Sequence, residues 1–372
     1  MEIKRDYSID YLKAFGCILM LIGHPLVFDY GNFLHLNIQY FTHFAPVFFY
    51  AISGVTTIFQ TGRKPFKHIL FYYTILFLCG FTWGLGLRQG TLGFQWLEII
   101  SLIAIGCLFV AIIEMKIKPR NYVYFIIAMS IYGIKYATDI FIPEFGFKGF
   151  FFPPDLPAKQ MPIYSGFPIF PWIFLFPLGI FMYRTKNRNN LILFLLFTAI
   201  YITLHITTKI DFYKFINKWD MKFHYFVLAN MFAFFSFFIM RLIGTKAYSR
   251  PNIFLTIGQK SLLFLYVHAI GIAIAAGITV NALQMKNQWL LWIMGFVVTI
   301  PLFIVINKIK ESKLFLNIKA WYFLIVIILG LPFIVKNGIL LLWLEAILGV
   351  IFALQYKQLS IILKEKFSQE TA

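Results

Sequence analysis

The stretch from Ile9 to His24, IDYLKAFGCILMLIGH, puts an acid, a lysine and a histidine in the first membrane-length apolar segment of the chain. Ionisable groups are costly there and mark functional sites. His24 follows Lys13 by eleven positions, about three helical turns, so on a helix the two side chains share one face roughly 16 Å apart. A neutral imidazole is the usual general base near neutral pH and can take a proton from an attacking hydroxyl or amine. Taken alone, such a histidine serves equally well as a hydrogen-bonding group toward a neighbouring helix. Lys13, with Asp10 about one turn before it, suits two roles: holding the phosphates of a donor molecule, or snorkelling to the interface paired with its acid.

Two further constellations bring similar groups. His43 opens the segment HFAPVFFYAISG, in which Ser53 and Gly54 allow close helix approach. Gly258-Gln259-Lys260-Ser261 precedes Tyr266 and His268; Ser261 and His268 are seven residues apart and so share a helix face, while Ser261 can simply cap its helix. His43, Tyr266 and His268 are candidates for an inner polar lining. His35, in a short outer loop, is by default a solvated histidine, and Arg88, at an outer span end, can simply snorkel; if the chain has an external acceptor, these two are the candidates to meet it. Lys135 and Asp139 stand at i,i+4 spacing and can neutralise each other within the bilayer. Cys17, Cys79 and Cys107 all fall in apolar runs without metal-ligand spacing; they read as core, and no metal is expected. His68, His205 and His224 have no polar company and receive no role.

The elements that must position these groups are membrane helices. Of the 372 residues 60% are hydrophobic, 20% aromatic and only 13% charged, with a mean hydropathy of +0.78. Repeated apolar runs of about 18 residues or more are membrane spans, and about twelve occur. They lie near residues 9–28, 40–59, 69–87, 94–113, 122–142, 168–183, 191–208, 223–240, 261–279, 289–306, 321–335 and 338–355. The expectation is an all-α polytopic membrane protein, residues 1–372 forming a single domain and one bundle of about 10–12 transmembrane helices. The net charge of +18 comes from short Lys/Arg clusters between spans rather than along one face, which argues against nucleic acid and for topology signals. With the N-terminus cytoplasmic, every even-numbered span ends at a basic cluster. The loop after span seven is the exception, with Lys209, Lys214, Lys218 and Lys222 on the outer side. Residues 143–166 form a Pro-rich irregular connection. No internal repeat and no inverted pair of broken helices is visible.

Three pieces resemble one superfamily. IDYLKAFGCILMLIGH is similar to the first-helix signature of the membrane acyltransferase 3 family, PVFFYAISG to its second-helix segment, and IGQKSLLFLYVHA to its late G-x-x-S-L…Y-x-x-H segment. They occur in the expected order, and the likeness spans most of the chain. Lys13 stands where that family usually has arginine, which loses a bidentate phosphate grip. FPIFPWIFLFPLGI and WLEIISLIAIG look more like the neighbouring heparan-alpha-glucosaminide N-acetyltransferase-like branch. The resemblance implies transfer of an acyl group, acetyl from cytosolic acetyl-CoA, to a hydroxyl or amine of a glycan on the far side of a bacterial inner membrane. His24 would match the catalytic histidine, and Lys13 with Asp10 the donor side. A polar-lined bundle also suits a glycan or lipid-linked sugar transporter or flippase, and a non-catalytic assembly partner is a third class.

Overall fold

A computed structural model of the protein describes residues 6–24, 33–88, 94–95, 97–141, 163–164, 167–208, 221–243, 252–283 and 288–369. Each of the twelve apolar stretches is largely helical. The helices are α1 (Tyr7–Gly23), α2 (Phe33–Thr42), α3 (Ala45–Thr61), α4 (Phe66–Arg88), α5 (Ile99–Ile112), α6 (Asn121–Phe141), α7 (Ile169–Trp172), α8 (Leu175–Arg184), α9 (Asn187–Thr208), α10 (Phe223–Ile243), α11 (Ile253–Gln259), α12 (Ser261–Ala276), α13 (Gln288–Asn307), α14 (Ile318–Ile334) and α15 (Gly338–Gln369). Besides helices, the described residues contain one two-residue parallel pairing, Phe94–Gln95 with Ile163–Tyr164. The protein is an all-α polytopic membrane protein.

Eight described helical stretches are long and apolar enough to cross a membrane, and two shorter apolar ones cover Ile169–Arg184 and Ile318–Ile334. The other two expected spans are helical for different reasons of composition. Helix α1 is 17 residues long and carries Asp10 and Lys13; residues 25–28 of its expected span lie outside the described residues. Helix α6 has the length, at 21 residues, but Lys135 and Asp139 lower its apolarity. Lys135 is buried; the side chain of Asp139 lies outside the described residues, as do the loop 209–220 and most of 143–166. The sixth span is interrupted at Phe170, whose backbone leaves the helical region between Pro168 and Pro171, because a proline ring cannot sit inside a continuing helix.

The membrane setting inverts the usual burial pattern. Only 6% of the apolar window of α9 is buried, and Ile192, Leu195, Leu196, Ile202 and Ile206 are exposed on it. Such a face is stable in lipid, where every backbone group is already bonded within the helix.

The chain divides into two compact units, Met1–Ile52 with Met182–Lys308, and Ser53–Phe181 with Ile309–Ala372. In the first, α1 is the hub: α2, α10, α11, α12 and α13 all pack on it, while α9 pairs with α10 and α12 with α13. Asp6 caps α1 by accepting the Ser8 N–H at 3.0 Å, the side-chain capping that satisfies an otherwise orphan donor. In the second unit α4 packs against α5, α14 and α15. Its register with α15 is antiparallel: Lys64 Nζ donates to Ser360 Oγ at 3.0 Å, Tyr72 stacks on Phe352, and Thr82 Oγ1 meets Glu345 Oε2 at 3.0 Å.

Candidate functional site

Helix α1 is terminated by His24 itself, whose N–H bonds the Met20 carbonyl as the last helical contact. The imidazole is exposed. Its Nδ1 lies 3.0 Å from Nε2 of His268, and the rings stack with centroids 5.0 Å apart. His268 is buried, 4% exposed, held on α12 with Phe264 stacked against it. The pair therefore joins an accessible imidazole to a buried one.

The tautomers follow from what surrounds the buried ring. Nδ1 of His268 is buried without a hydrogen-bond partner among the described residues, and the backbone carbonyls of Phe264 and Leu265 lie near the ring in its own preceding turn. Carbonyls only accept, so the proton of neutral His268 belongs on Nδ1, and Nε2 presents a lone pair. The Nδ1 of His24 must then be the donor across the 3.0 Å contact. Nε2 of His24 then carries the ring's remaining lone pair, on the atom a general base uses.

The histidine pair is one end of a longer match between α1 and the segment 257–269. Gly258 sits against α1 so closely that a Cβ on it would be 1.7 Å from the Asp10 carbonyl oxygen. Only glycine admits that approach. Asn252, which caps α11 by accepting the Leu255 N–H at 2.8 Å, also donates to the Tyr11 hydroxyl. Segment 257–269 thus runs beside α1, Gly258 at the Asp10 level and His268 at the His24 level. Between these levels Gly16 of α1 faces Phe48 and Phe49, each 3.4 Å from where its Cβ would be. All three segments carrying the sequence resemblance therefore meet on α1.

The remaining candidates fall into groups. Asp10 is buried, 5% exposed, and Lys13 is half-buried one turn on; Lys260 lies two residues from the Gly258 contact and so at the same end of α1. His43 belongs to a turn beside His24, since a Cβ on Gly23 would be 2.8 Å from Thr42. That turn is held by Tyr225, whose hydroxyl donates to the His43 carbonyl at 2.7 Å. Thr42 and Tyr225 were invisible as site residues, because neither is ionisable nor part of a motif. Tyr266 is 1% exposed, but two positions on a helix turn it about 200° from His268, so the two do not share a face. The side chains of His35 and Arg88 lie outside the described residues; the backbone of His35 is in α2, and Arg88 ends α4 in the second unit.

The described residues contain no group of three or more His, Cys, Asp or Glu that could hold a metal ion. The basic groups at the Asp10 end, Lys13 and Lys260, could hold a polyanion, and the imidazole pair could move a proton at the other. No protein-family model matches the chain, and no curated protein matches it.

Proposed function

We propose that this protein is a membrane acyltransferase that moves an acyl group, acetyl in the simplest case, from an acyl-CoA donor to a hydroxyl or amine of a glycan. The observation that carries this reading is the 3.0 Å contact between His24 and His268, which joins the histidines of two segments that resemble the membrane acyltransferase 3 family. A single membrane histidine has a bland explanation; an exposed imidazole whose tautomer is set by a buried one is the arrangement of a general base.

In this reading His24 Nε2 takes the proton of the acceptor O–H or N–H as that atom attacks the thioester carbonyl. A new C–O or C–N bond forms, the C–S bond breaks, and the proton passes from His24 to the departing thiolate. His268 keeps His24 in the productive tautomer and shares the charge that develops on it. Lys13, with Asp10 beside it, holds the donor's phosphates; the positive-inside distribution of the basic clusters supports a cytosolic setting for that end of α1, with His24 toward the far side, and a bacterial inner membrane is the setting this reading proposes. Lys13 and His24, about 16 Å apart along α1, separate donor anchoring from chemistry by a distance that an extended pantetheine-type arm can bridge.

The test uses the purified full chain in proteoliposomes, given acetyl-labelled acetyl-CoA and envelope glycan fragments. Expected is label on the glycan in wild type and its loss in His24→Ala at unchanged expression and thermal stability. Full transfer by His24→Ala would remove His24 from the mechanism. Glycan movement across the bilayer without any donor would replace the enzyme by a carrier.

A further inference from the structure

Helix α15 carries an acid inside its apolar stretch GILLLWLEAILGV, and the acyl-transfer reading makes no use of it. Glu345 is 3% exposed and lies seven residues into the helix, roughly 10 Å from its start. Oε2 meets Thr82 Oγ1 of α4 at 3.0 Å. Oε1 is buried and has no hydrogen-bond partner among the described residues.

Counting hydrogens at Thr82 decides the charge state. Its hydroxyl has one proton, and Oγ1 lies 3.0 Å from the Leu78 carbonyl as well as 3.0 Å from Glu345 Oε2. The carbonyl of the preceding turn is the usual acceptor for a helical threonine. With that proton donated to Leu78, Oγ1 offers Glu345 a lone pair, and two lone pairs face each other unless the carboxyl brings the hydrogen. The alternative is an ionised carboxylate in an apolar interior with one oxygen unsolvated and no cation beside it among the described residues, an arrangement whose desolvation nothing offsets.

Among the described residues no neighbouring cation supplies compensation. From α4 the titratable group at this level is the Cys79 thiol, one turn before Thr82, the side chain of Arg88 lying outside the described residues; from α5, which also packs on α4, the nearest is Glu98, an acid three residues before the Ser101 that faces Gly80. The charged groups of α15 itself begin at Lys357, twelve residues or about 18 Å away, and Lys357 is engaged with Glu311 at 3.4 Å. From α14, Tyr322 packs on Phe71, eleven residues from Thr82 along α4, and Lys319 lies beyond it. Lys313 belongs to the turn that precedes α14. Lys336 precedes α15 and is exposed.

We propose that Glu345 and Thr82 form a proton-binding site within the membrane: the resting protein holds a carboxylic acid there, which exchanges its proton with the aqueous phase. The bond that breaks is the carboxyl O–H, and the ligand exchanged is the proton alone. This centre belongs to the second compact unit and stands independently of the acyl-transfer reading.

A hydrophobic carbodiimide tests it, because such reagents add to a carboxyl only in its protonated form and leave a stable acylurea that peptide mass analysis can locate. The full chain in proteoliposomes is treated across a pH series. Expected is modification at Glu345, falling about tenfold per pH unit on the alkaline side as the acid form is depleted. Glu345→Gln preserves a donor to Thr82 and so the helix contact; it is expected to unfold at the wild-type temperature and to lose the modification. Absence of label at Glu345 in the folded protein, with label after denaturation, would overturn the proposal, as would labelling that is constant across the pH series. Either result would reduce the acid to a permanent helix-to-helix hydrogen bond.

Discussion

Gly258 touches Asp10 through backbone alone: a methyl group on Gly258 would lie 1.7 Å from the Asp10 carbonyl oxygen. No side chain can swing away to relieve such an overlap, so α11 would have to leave α1. Gly258→Ala is expected to cost about 3 kcal/mol, the upper part of the range for overpacked sites, read as a lowered thermal unfolding midpoint in detergent. Because Lys260 follows in the same segment, donor binding should weaken with it. An unchanged midpoint would mean that the two helices do not meet here.

In the acyl-transfer reading His268 acts through His24, and its substitution tests that. His268→Leu leaves the His24 Nδ1–H without its acceptor, and losing a buried hydrogen bond of about 1–3 kcal/mol corresponds to roughly 5- to 150-fold in turnover. The Michaelis constant for the donor should stay unchanged. His268→Gln offers a carbonyl oxygen near the Nε2 position and should recover most of the rate. His24→Ala should lose more, on the order of 100- to 10,000-fold, as befits a general base. Equal losses in Leu and Gln variants of His268 would favour a packing role.

Lys13 provides a separate readout. In the acyl-transfer reading its ammonium holds the donor's phosphate as a point charge, whereas arginine would present a fork that grips two oxygens. Lys13→Ala is expected to raise the Michaelis constant for acetyl-CoA with less effect on turnover, and Lys13→Arg to lower it. Donor titrations at fixed acceptor distinguish these outcomes, and no change in either variant would dissociate Lys13 from the donor.

The foot of α1 is tied by a second network. Arg241, in the last turn of α10, donates to the carbonyls of Tyr183 and Thr185, and the Tyr183 hydroxyl donates to Asp6 Oδ2 at 3.1 Å. Arg241→Ala leaves two carbonyls without their charged donor and is expected to cost about 1.5–3 kcal/mol of stability. Arg241→Lys, able to reach one carbonyl well, should recover part of it; chemical denaturation of the three proteins measures the order.

Lys64, in the turn before α4, bonds Ser360, and burial holds its ammonium below the usual 10.5. Between its folded value and 10.5 the unfolded chain binds more protons than the folded one, so stability through this group rises with pH across that window. Lys64→Met should flatten that rise while leaving the slope at acidic pH unchanged. Thermal midpoints of both proteins between pH 7 and 10.5 provide the comparison.

Much of this architecture is readable from hydropathy. The expected span at 191–208 is the helix Asn187–Thr208, and that at 289–306 is Gln288–Asn307, because a membrane helix needs a long apolar run and little else. Short elements escape such windows. Helix α11 has seven residues, too few to register, yet it carries the Gly258 contact with Asp10. The expected span at 40–59 is split at His43–Phe44, just ahead of Pro46, which cannot donate to the Thr42 carbonyl four residues back and so sits in the first turn of a new helix. His24 and Lys13 stood out because of their cost in an apolar segment. Their partner His268 is 244 positions away from His24, and only the family resemblance put both in one picture. Glu345 carries the same signal of an acid in an apolar run, but no basic or histidine residue stands near it in sequence, and its partner Thr82 is 263 positions away.

Helix α15 has 32 residues and is therefore about 48 Å long, against a hydrocarbon core of about 30 Å. Its surplus begins where Gln355 accepts the Ser312 N–H and where Gln358 and Lys357 engage Glu311, a polar collar suited to the headgroup layer. The helix then works as a depth gauge. With the collar at the interface, the carboxyl of Glu345 hangs about 18 Å below it, close to the bilayer midplane, so a proton bound there senses roughly half of any voltage across the membrane.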